Sequence, residues 1–314
     1  MRAVTIRDSE LTVEDHPDPE PGAGEYLIRV RAAGLNGADM MQRRGRYPAP
    51  PGAPQEIPGL ELAGEVIGCG TGASRFKQGE RVMSIVAGGA QAELAVVHER
   101  LLMPVPDNLE WPEAGATPEV FTTAHDALFT QAGLRLGERL LVHGGAGGVG
   151  TAAVQLGVAA GARVTATVRS EELRDKVAAL GAEVIGPEGF GEHGPFDVIL
   201  ELVGAPNLPE NLNALDIGGR IATIGIGAGA TNELNLGLLM AKRARIHGST
   251  LRPRPLEEKA LTARAMERSV LPLLASGAVR VPIAETFPLE RAADAYDRFA
   301  AGAKFGNIVL VMFT

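Results

Sequence analysis

The residues from Gly145 to Gly150, Gly-Ala-Gly-Gly-Val-Gly, form the pattern in this 314-residue chain that is best suited to chemistry. They follow an apolar, strand-like run over 139–143 and precede a helical pattern over 151–160. In a G-x-G-x-x-G turn the glycines permit a tight bend and a close approach of the backbone to a diphosphate. The helix N-terminus then offers free N–H groups to the phosphates, although a plain glycine turn is the alternative. The residues assigned to a dinucleotide are Gly145, Gly147, Gly148, Val149 and Gly150.

The second strand of this motif, over 163–168, ends in Arg169 and Ser170. A site for NAD usually has Asp or Glu here, which binds the ribose 2′-hydroxyl. An arginine instead matches a 2′-phosphate, and a serine hydroxyl can add a hydrogen bond. These two residues therefore predict NADPH as the cofactor, and a solvated surface arginine is the alternative.

The elements around the motif predict an α/β fold. Before Pro118 the chain contains short strand-like segments separated by glycine and proline, which indicates a β-rich domain. Beyond it, apolar strands alternate with helical segments, which is typical of a doubly wound parallel sheet. Gly225 and Gly227 follow the strand-like run 220–224, at the edge where such sheets bind ligands, and we assign both to the cofactor. A plain turn is again the alternative.

Composition narrows the class of protein. The formal net charge is −8 and no basic block is present, so nucleic-acid partners are not expected. No apolar run reaches the length that a membrane span requires. The single cysteine, Cys69, rules out an internal disulfide and a cysteine-rich zinc site. A cytoplasmic protein is the expectation.

Four motifs in order carry a family resemblance: Ala33–Asp39, Pro58–Val66, the glycine turn, and Gly248–Arg252. With them the whole chain resembles the quinone oxidoreductase (zeta-crystallin-like) branch of the medium-chain dehydrogenases/reductases. The resemblance implies a Rossmann domain, 119–254, inserted in a GroES-like catalytic domain, 1–118 plus 255–314. It also implies a nicotinamide in the interdomain cleft and a homodimer.

The resemblance further implies individual site residues. Asn36 and Tyr47 would face the nicotinamide and the acceptor, donating a hydrogen bond or a proton. Thr123 would lie near the nicotinamide ribose, and Asn307 stands where the family has a cofactor-contacting lysine. Ordinary alternatives are a turn-capping asparagine, a loop tyrosine and a helix-facing threonine. Zinc-dependent relatives carry a cysteine in the segment that holds Leu35 and Asn36 here, and a histidine at the position of Leu60, so no metal site is expected.

Three functions fit the sequence. The first is NADPH-dependent reduction of quinones or related α,β-unsaturated carbonyls by hydride transfer without zinc. The second is an enoyl-thioester (enoyl-CoA) reductase, for which Arg43, Arg44 and Arg46 could bind the carrier's phosphates. The third is a non-catalytic NADPH-binding protein. His143, beside the glycine turn, is interpreted as a strand-end residue rather than a base.

Overall fold

A computed structural model describes residues 1–312 and divides the chain into two compact units. The second unit comprises Thr123–Thr250 and Ala303–Gly306. The first contains 1–122, 251–302 and the described residues from 307 onward. The sequence-based bounds, 119–254 within 1–118 plus 255–314, stay a prediction, and residues 313 and 314 lie outside the described residues.

The strands and helices are numbered along the chain. The strands are β1 Arg2–Arg7, β2 Glu10–Asp15, β3 Glu25–Gly34, β4 Glu61–Cys69, β5 Arg81–Ile85, β6 Leu94–His98, β7 Met103–Pro104, β8 Arg139–Val142, β9 Arg163–Thr167, β10 Glu183–Ile185, β11 Phe196–Glu201, β12 Leu215–Thr223, β13 Arg245–Gly248, β14 Ile283–Pro288 and β15 Asn307–Val311. The α-helices are α1 Gly37–Arg43, α2 Trp111–Gly115, α3 Pro118–His125, α4 Gly148–Ala159, α5 Arg174–Ala178, α6 Leu208–Ala214, α7 Leu236–Lys242, α8 Leu256–Ser269, α9 Leu271–Ala275 and α10 Ala292–Ala300. None of the helices within residues 1–312 is long and apolar enough to cross a membrane.

The first unit is built on a seven-stranded sheet in the order β14-β15-β3-β4-β5-β7, with β6 also paired to β3. Alternate residues of β3, including Tyr26, Ile28 and Val30, are buried, because successive side chains of a strand point to opposite faces. They pack in one apolar core with Tyr296 of α10 and Ile308 of β15. The C-terminal strand thus completes the sheet that the N-terminal part begins.

The second unit contains a six-stranded parallel sheet in the order β10-β9-β8-β11-β12-β13. The chain starts in the middle at β8, runs outward to β10, and returns to β11 beside β8. The predicted doubly wound parallel sheet is confirmed. Its order reverses between β8 and β11, so loops from both strands meet at the edge where this architecture binds ligands.

One predicted helix differs from the structure. The sequence indicates a continuous helix over 256–276, but the chain forms α8 and α9 with a break at Val270. Pro272 lies in the first turn of α9, where its missing N–H costs least. A proline within a helical pattern therefore divided the helix rather than bending it.

Candidate functional site

The glycine turn of the second unit has the geometry of an anion-binding helix start. Gly144, one residue before the predicted motif, has a φ of +68° and makes the bend. Gly147 is the N-cap of α4, so the helix starts at Gly148, three residues earlier than the predicted Thr151. The N–H groups of Val149 and Gly150 have no backbone acceptor within residues 1–312. They are the free donors that a phosphate requires.

Two glycines of the turn have different surroundings: Gly150 is closely packed, whereas Gly147 has open space around it. A Cβ added to Gly150 would lie 2.2 Å from the carbonyl oxygen of Gly144, so this contact between helix and turn requires glycine. A Cβ on Gly147 would meet only that same oxygen, at 3.6 Å. Gly147 therefore has room for a side chain within the protein.

A later segment of the chain braces the turn. The N–H of Gly306 donates to the carbonyl of Ala146 at 2.8 Å, and Gly306 also bridges Gly147. The Lys304 ammonium donates to the Gly306 carbonyl at 2.6 Å. Residues 303–306 thus belong to the second unit although they are far from it in sequence.

Arg169 and Ser170 directly follow β9 and Val168, as the sequence indicates. Arg169 is exposed and makes no hydrogen bond or ion pair within the described chain. Arg174 in α5 donates through Nε to the carbonyl of Val168 at 3.2 Å, so a second guanidinium lies close to this strand end. The C-terminal end of β9 therefore carries positive charge and no acidic residue at the position where NAD-preferring sites have one.

The other residues assigned to the cofactor occupy varied surroundings. Thr123 is a buried residue of α3, and Gly227 lies in an exposed turn after β12. A Cβ on Gly225 would lie 2.1 Å from the carbonyl oxygen of Leu202, so packing alone requires glycine there. Asn307 is buried and its amide donates to the carbonyl of Pro282 at 3.2 Å. Cofactor contact by these four residues stays a prediction.

In the first unit, a buried carboxyl group orients Asn36. Asn36 Nδ2 donates to Glu61 Oε1 at 2.9 Å, and the other carboxyl oxygen accepts the N–H of Glu119 at 2.8 Å. Asn36 is also the N-cap of α1, and its N–H donates to Asp39 Oδ2 at 2.8 Å. The second hydrogen on Nδ2 has no acceptor within residues 1–312. The amide is thus held from one side and free to donate on the other.

Both acidic side chains in this cluster are fully buried. Burial raises the pKa of Glu61 to about 8, although the N–H donors of Asn36 and Glu119 oppose the shift. Burial likewise raises the pKa of Asp39 to about 6, against hydrogen bonds from Asn36 and Gly59. A buried carboxyl without a cationic partner favours its neutral form because the charge has lost its hydration. Glu61 is therefore protonated at neutral pH.

Arg252 holds the loop that carries Tyr47. Its guanidinium donates to the carbonyls of Ala87 and Tyr47 at 2.7 and 2.9 Å, and to Gln42 Oε1 at 2.7 Å. Its Cζ also lies 5.2 Å from the centre of the Tyr47 ring, a cation–π distance. Burial raises the pKa of Tyr47, with a smaller contribution from Glu119. The phenol oxygen makes no hydrogen bond within residues 1–312, so Tyr47 can donate to a ligand.

Sequence reasoning missed three members of this cluster: Asp39, Glu61 and the supporting role of Arg252. Glu61 stands in the apolar run Leu60-Glu61-Leu62-Ala63, which is an unusual place for a charged residue. That signal could have identified it as a buried functional group. Nothing in the sequence indicates the contact of Arg252 with Tyr47, because 204 residues separate them and only the tertiary fold brings them together.

The free energy of unfolding should depend on pH because of Glu61. Between pH 4.5, its ordinary pKa, and about 8, the unfolded chain releases this proton while the folded protein keeps it. Stability therefore falls as pH rises through that window, by on the order of 5 kcal/mol from this group. Denaturant unfolding of Glu61→Gln should show a flatter pH dependence than the wild type. The control is Glu65→Gln in the same strand, and an equally steep slope in Glu61→Gln would contradict the assignment.

Comparisons with known proteins identify the family to which the chain belongs. Residues 148–267 match the family model described as zinc-binding dehydrogenase, and residues 22–107 match the alcohol dehydrogenase GroES-like domain. The quinone oxidoreductase of Rattus norvegicus is 34% identical over 308 residues, which cover 94% of this chain and 91% of that protein. The acryloyl-coenzyme A reductase of Metallosphaera sedula is 30% identical, with 99% of both chains covered.

A solved structure gives the same result. A mycobacterial protein in complex with NADPH superimposes with a TM-score of 0.88 at 28% identity, over 99% of this chain and 100% of that one. Identity of about one third along nearly the whole length goes beyond a shared fold. The chain is an oxidoreductase that belongs to the quinone oxidoreductase branch of the medium-chain dehydrogenase/reductase family.

Proposed function

We propose that the protein reduces quinones or related α,β-unsaturated carbonyls with NADPH, without zinc. The observation that carries this proposal is the oriented amide of Asn36, in a chain whose other unit has the dinucleotide-binding turn. NADPH supplies a hydride when bound, which adds two electrons to the acceptor. A proton from Tyr47 or from solvent completes the reduction to a hydroquinone or a saturated carbonyl.

The second unit suits the cofactor's phosphates. The N–H groups of Gly148, Val149 and Gly150 would bind the diphosphate, with the positive end of the α4 dipole beneath it. Arg169 and Ser170 would bind the 2′-phosphate, with Arg174 close by. Thr123, Gly225, Gly227 and Asn307 complete the set that we assign to NADPH.

The first unit suits a carbonyl acceptor. Asn36 would donate its free N–H to the acceptor oxygen, where negative charge develops as the hydride arrives. Glu61 restricts the amide to one orientation, so little reorganisation is needed during the reaction. Tyr47, held by Arg252, would donate a hydrogen bond or a proton to the same class of oxygen.

The side chains available as metal ligands favour a reaction without zinc. No group of three or more His, Cys, Asp or Glu side chains within residues 1–312 could hold a metal ion. Leu35 and Leu60 are buried apolar residues in the two segments that supply zinc ligands in zinc-dependent relatives. Zinc would stabilise an alkoxide during alcohol oxidation. We therefore assign reduction of an electron-poor acceptor rather than oxidation of an alcohol.

Turnover with purified protein tests the proposal. NADPH oxidation should be catalysed with 1,4-benzoquinone or a simple enone, and the rate should be unaffected by a zinc chelator. Absence of turnover across a panel of small quinones and enones would reject the proposal. NADPH binding without turnover would instead favour the non-catalytic alternative.

A second candidate function is reduction of an enoyl-CoA, which the similarity to an acryloyl-coenzyme A reductase favours. Arg44 and Arg46 are exposed and make no ion pair within the described residues, so both could bind CoA phosphates. Arg43, by contrast, donates to the carbonyl of Ser9 and pairs with Asp297. A higher kcat/KM for crotonyl-CoA than for benzoquinone would make this second function the correct one.

Cofactor preference should depend on Arg169. Because Arg169→Asp removes the cation and places a carboxylate beside the 2′-phosphate, we expect the ratio of kcat/KM for NADPH to that for NADH to fall at least tenfold. The matched control is Arg163→Asp, at the exposed start of the same strand. An unchanged ratio in Arg169→Asp would mean that this residue does not select the cofactor.

We also propose that the protein is a cytoplasmic homodimer. Leu236 and Met240 are exposed residues of α7, the helix that precedes β13, the edge strand of the parallel sheet. Exposed apolar side chains next to an unpaired strand edge favour association with a second copy. Sedimentation equilibrium should give twice the chain mass, and the double substitution Leu236→Asp with Met240→Asp should give one chain mass. A wild-type monomer would contradict this proposal.

A further inference from the structure

The second unit contains a buried imidazole that the proposed reaction does not use. His143, the residue after β8, is 1% exposed and precedes the bend at Gly144. Its ring lies edge-on to Phe190, with the ring centres 4.6 Å apart. A buried titratable side chain one residue from the cofactor turn needs an explanation, because such groups are costly unless all their polar atoms are bonded.

The contacts of His143 form a chain of hydrogen bonds that runs in one direction. The N–H of Gly144 donates to Thr167 Oγ1 at 3.3 Å, so the hydroxyl hydrogen of Thr167 is free for His143 Nδ1 at 3.1 Å. On the far side, His143 Nε2 lies 2.7 Å from Asn211 Oδ1. Asn211 Nδ2 donates to Glu201 Oε2 at 2.7 Å, which fixes the orientation of that amide.

This arrangement fixes which nitrogen of the neutral ring carries the hydrogen. Asn211 presents its oxygen, so Nε2 carries the hydrogen, and the neutral Nδ1 accepts from the Thr167 hydroxyl. Glu201 ends the chain as an acceptor: its other oxygen takes the N–H groups of Val203 and Gly204 at 2.7 and 2.9 Å. The neutral ring with hydrogen on Nε2 therefore links the glycine turn after β8 to the loop after β11.

We propose that His143 is a positioning residue that ties the cofactor turn to the loop 202–204, and that this link sets the affinity for the dinucleotide. The inference rests on the proposed function, because it takes NADPH as the ligand of the turn. The chain fixes the N–H direction of Gly144, the residue whose positive φ makes the bend before the following glycines.

Protonation of the ring would reverse one hydrogen bond of this chain. A hydrogen on Nδ1 would donate to the Thr167 hydroxyl, which would have to turn its own hydrogen elsewhere, and Glu201 Oε2 lies 3.7 Å from Nε2. Burial lowers the pKa of His143, while the carboxylates of Glu201 and Glu210 and the hydrogen bond with Asn211 act in the opposite direction. The neutral ring, which accepts from Thr167 and donates to Asn211, is thus favoured at pH 7.

The decisive comparison uses Thr167→Val and Thr167→Ser, since valine has the shape of threonine without its hydroxyl and serine keeps the hydroxyl. At pH 7.5 the NADPH Kd of Thr167→Val should be roughly tenfold higher than that of Thr167→Ser, because the Gly144 N–H and Nδ1 lose their partner. Because both variants are measured under the same conditions, the ratio of their Kd values reports on the protein.

A second pair of variants isolates the imidazole. His143→Gln should weaken NADPH binding by a similar factor, whereas His247→Gln should not. His247 is a partly buried histidine of the same sheet whose Nε2 has no partner within residues 1–312. Equal Kd values in Thr167→Val and Thr167→Ser at pH 7.5 would overturn the inference.

Amide hydrogen exchange separates this inference from the proposed function. In protein without cofactor, the Gly144 amide should exchange faster in Thr167→Val than in Thr167→Ser. If the wild type failed to bind NADPH, the proposed function would fail, but this exchange measurement would still test the link. Identical exchange at Gly144 in both variants would overturn the link even in a protein that binds NADPH well.

Discussion

Gly147→Asp is expected to weaken the binding of NADPH and NADH at least a hundredfold while the protein stays folded. The new side chain has space, because a Cβ at this position meets nothing closer than 3.6 Å. Gly147 is the N-cap of α4, where aspartate is a favoured residue, so the helix itself is not weakened. The carboxylate would nevertheless occupy the approach to the free N–H groups and repel a diphosphate.

Two controls make this result specific. Gly147→Ala adds a Cβ without charge and should retain most of the affinity, measured by fluorescence titration. Gly150→Ala places its Cβ 2.2 Å from the Gly144 carbonyl oxygen, so it should lower the thermal unfolding midpoint as well as the affinity. Near-normal dinucleotide binding by Gly147→Asp would remove the glycine turn from the cofactor site.

Asn36→Asp is expected to lower kcat/KM for a quinone about a hundredfold, with the NADPH Kd changed less than threefold. The substitution keeps the shape of the side chain but removes both N–H groups, including the one free to donate to the acceptor oxygen. Loss of one such donor typically costs 10²- to 10³-fold in rate. It also places a second carboxyl against Glu61, whose oxygen accepts from Asn36 at 2.9 Å in the wild type.

The matched control is Asn108→Asp, in the same unit, where Nδ2 donates to the carbonyl of Leu274 at 3.0 Å. It loses an amide donor in the same way, but it has no part in the proposed site, so its kcat/KM should match the wild type. If Asn36→Asp kept wild-type turnover, or if both variants lost activity equally, the assignment of Asn36 to the acceptor would be wrong.

Local patterns predicted the second unit well because short stretches of sequence are enough to identify most of its strands and helices. The apolar run at β8, the glycine turn and the β-branched residues of β9 each lie within a few residues of one another. The strand β13, Arg-Ile-His-Gly, has no such pattern and was not predicted. It is a short edge strand, and backbone pairing with β12 determines it rather than its own side chains.

The first unit contains contacts that local sequence patterns do not predict. Asn36 and Tyr47 were identified through the family resemblance, but the groups that hold them were not. Glu61 and Asn36 are 25 positions apart in the sequence, and Arg252 and Tyr47 are 205 positions apart. Such pairs depend on the register of β4 and on the return of the chain to the first unit after the second. Local hydrophobic periodicity predicts neither of these.

The bracing of the glycine turn by residues 303–306 has a consequence for how the cofactor site is assembled. The carbonyl of Ala146 receives its hydrogen bond from Gly306, a residue that the ribosome adds long after the turn has emerged. A contiguous fragment that stops at Thr250 would lack this donor, so its glycine turn would be left with one carbonyl facing water. Recombinant dissection of the chain should therefore join 303–306 to the fragment by a short linker.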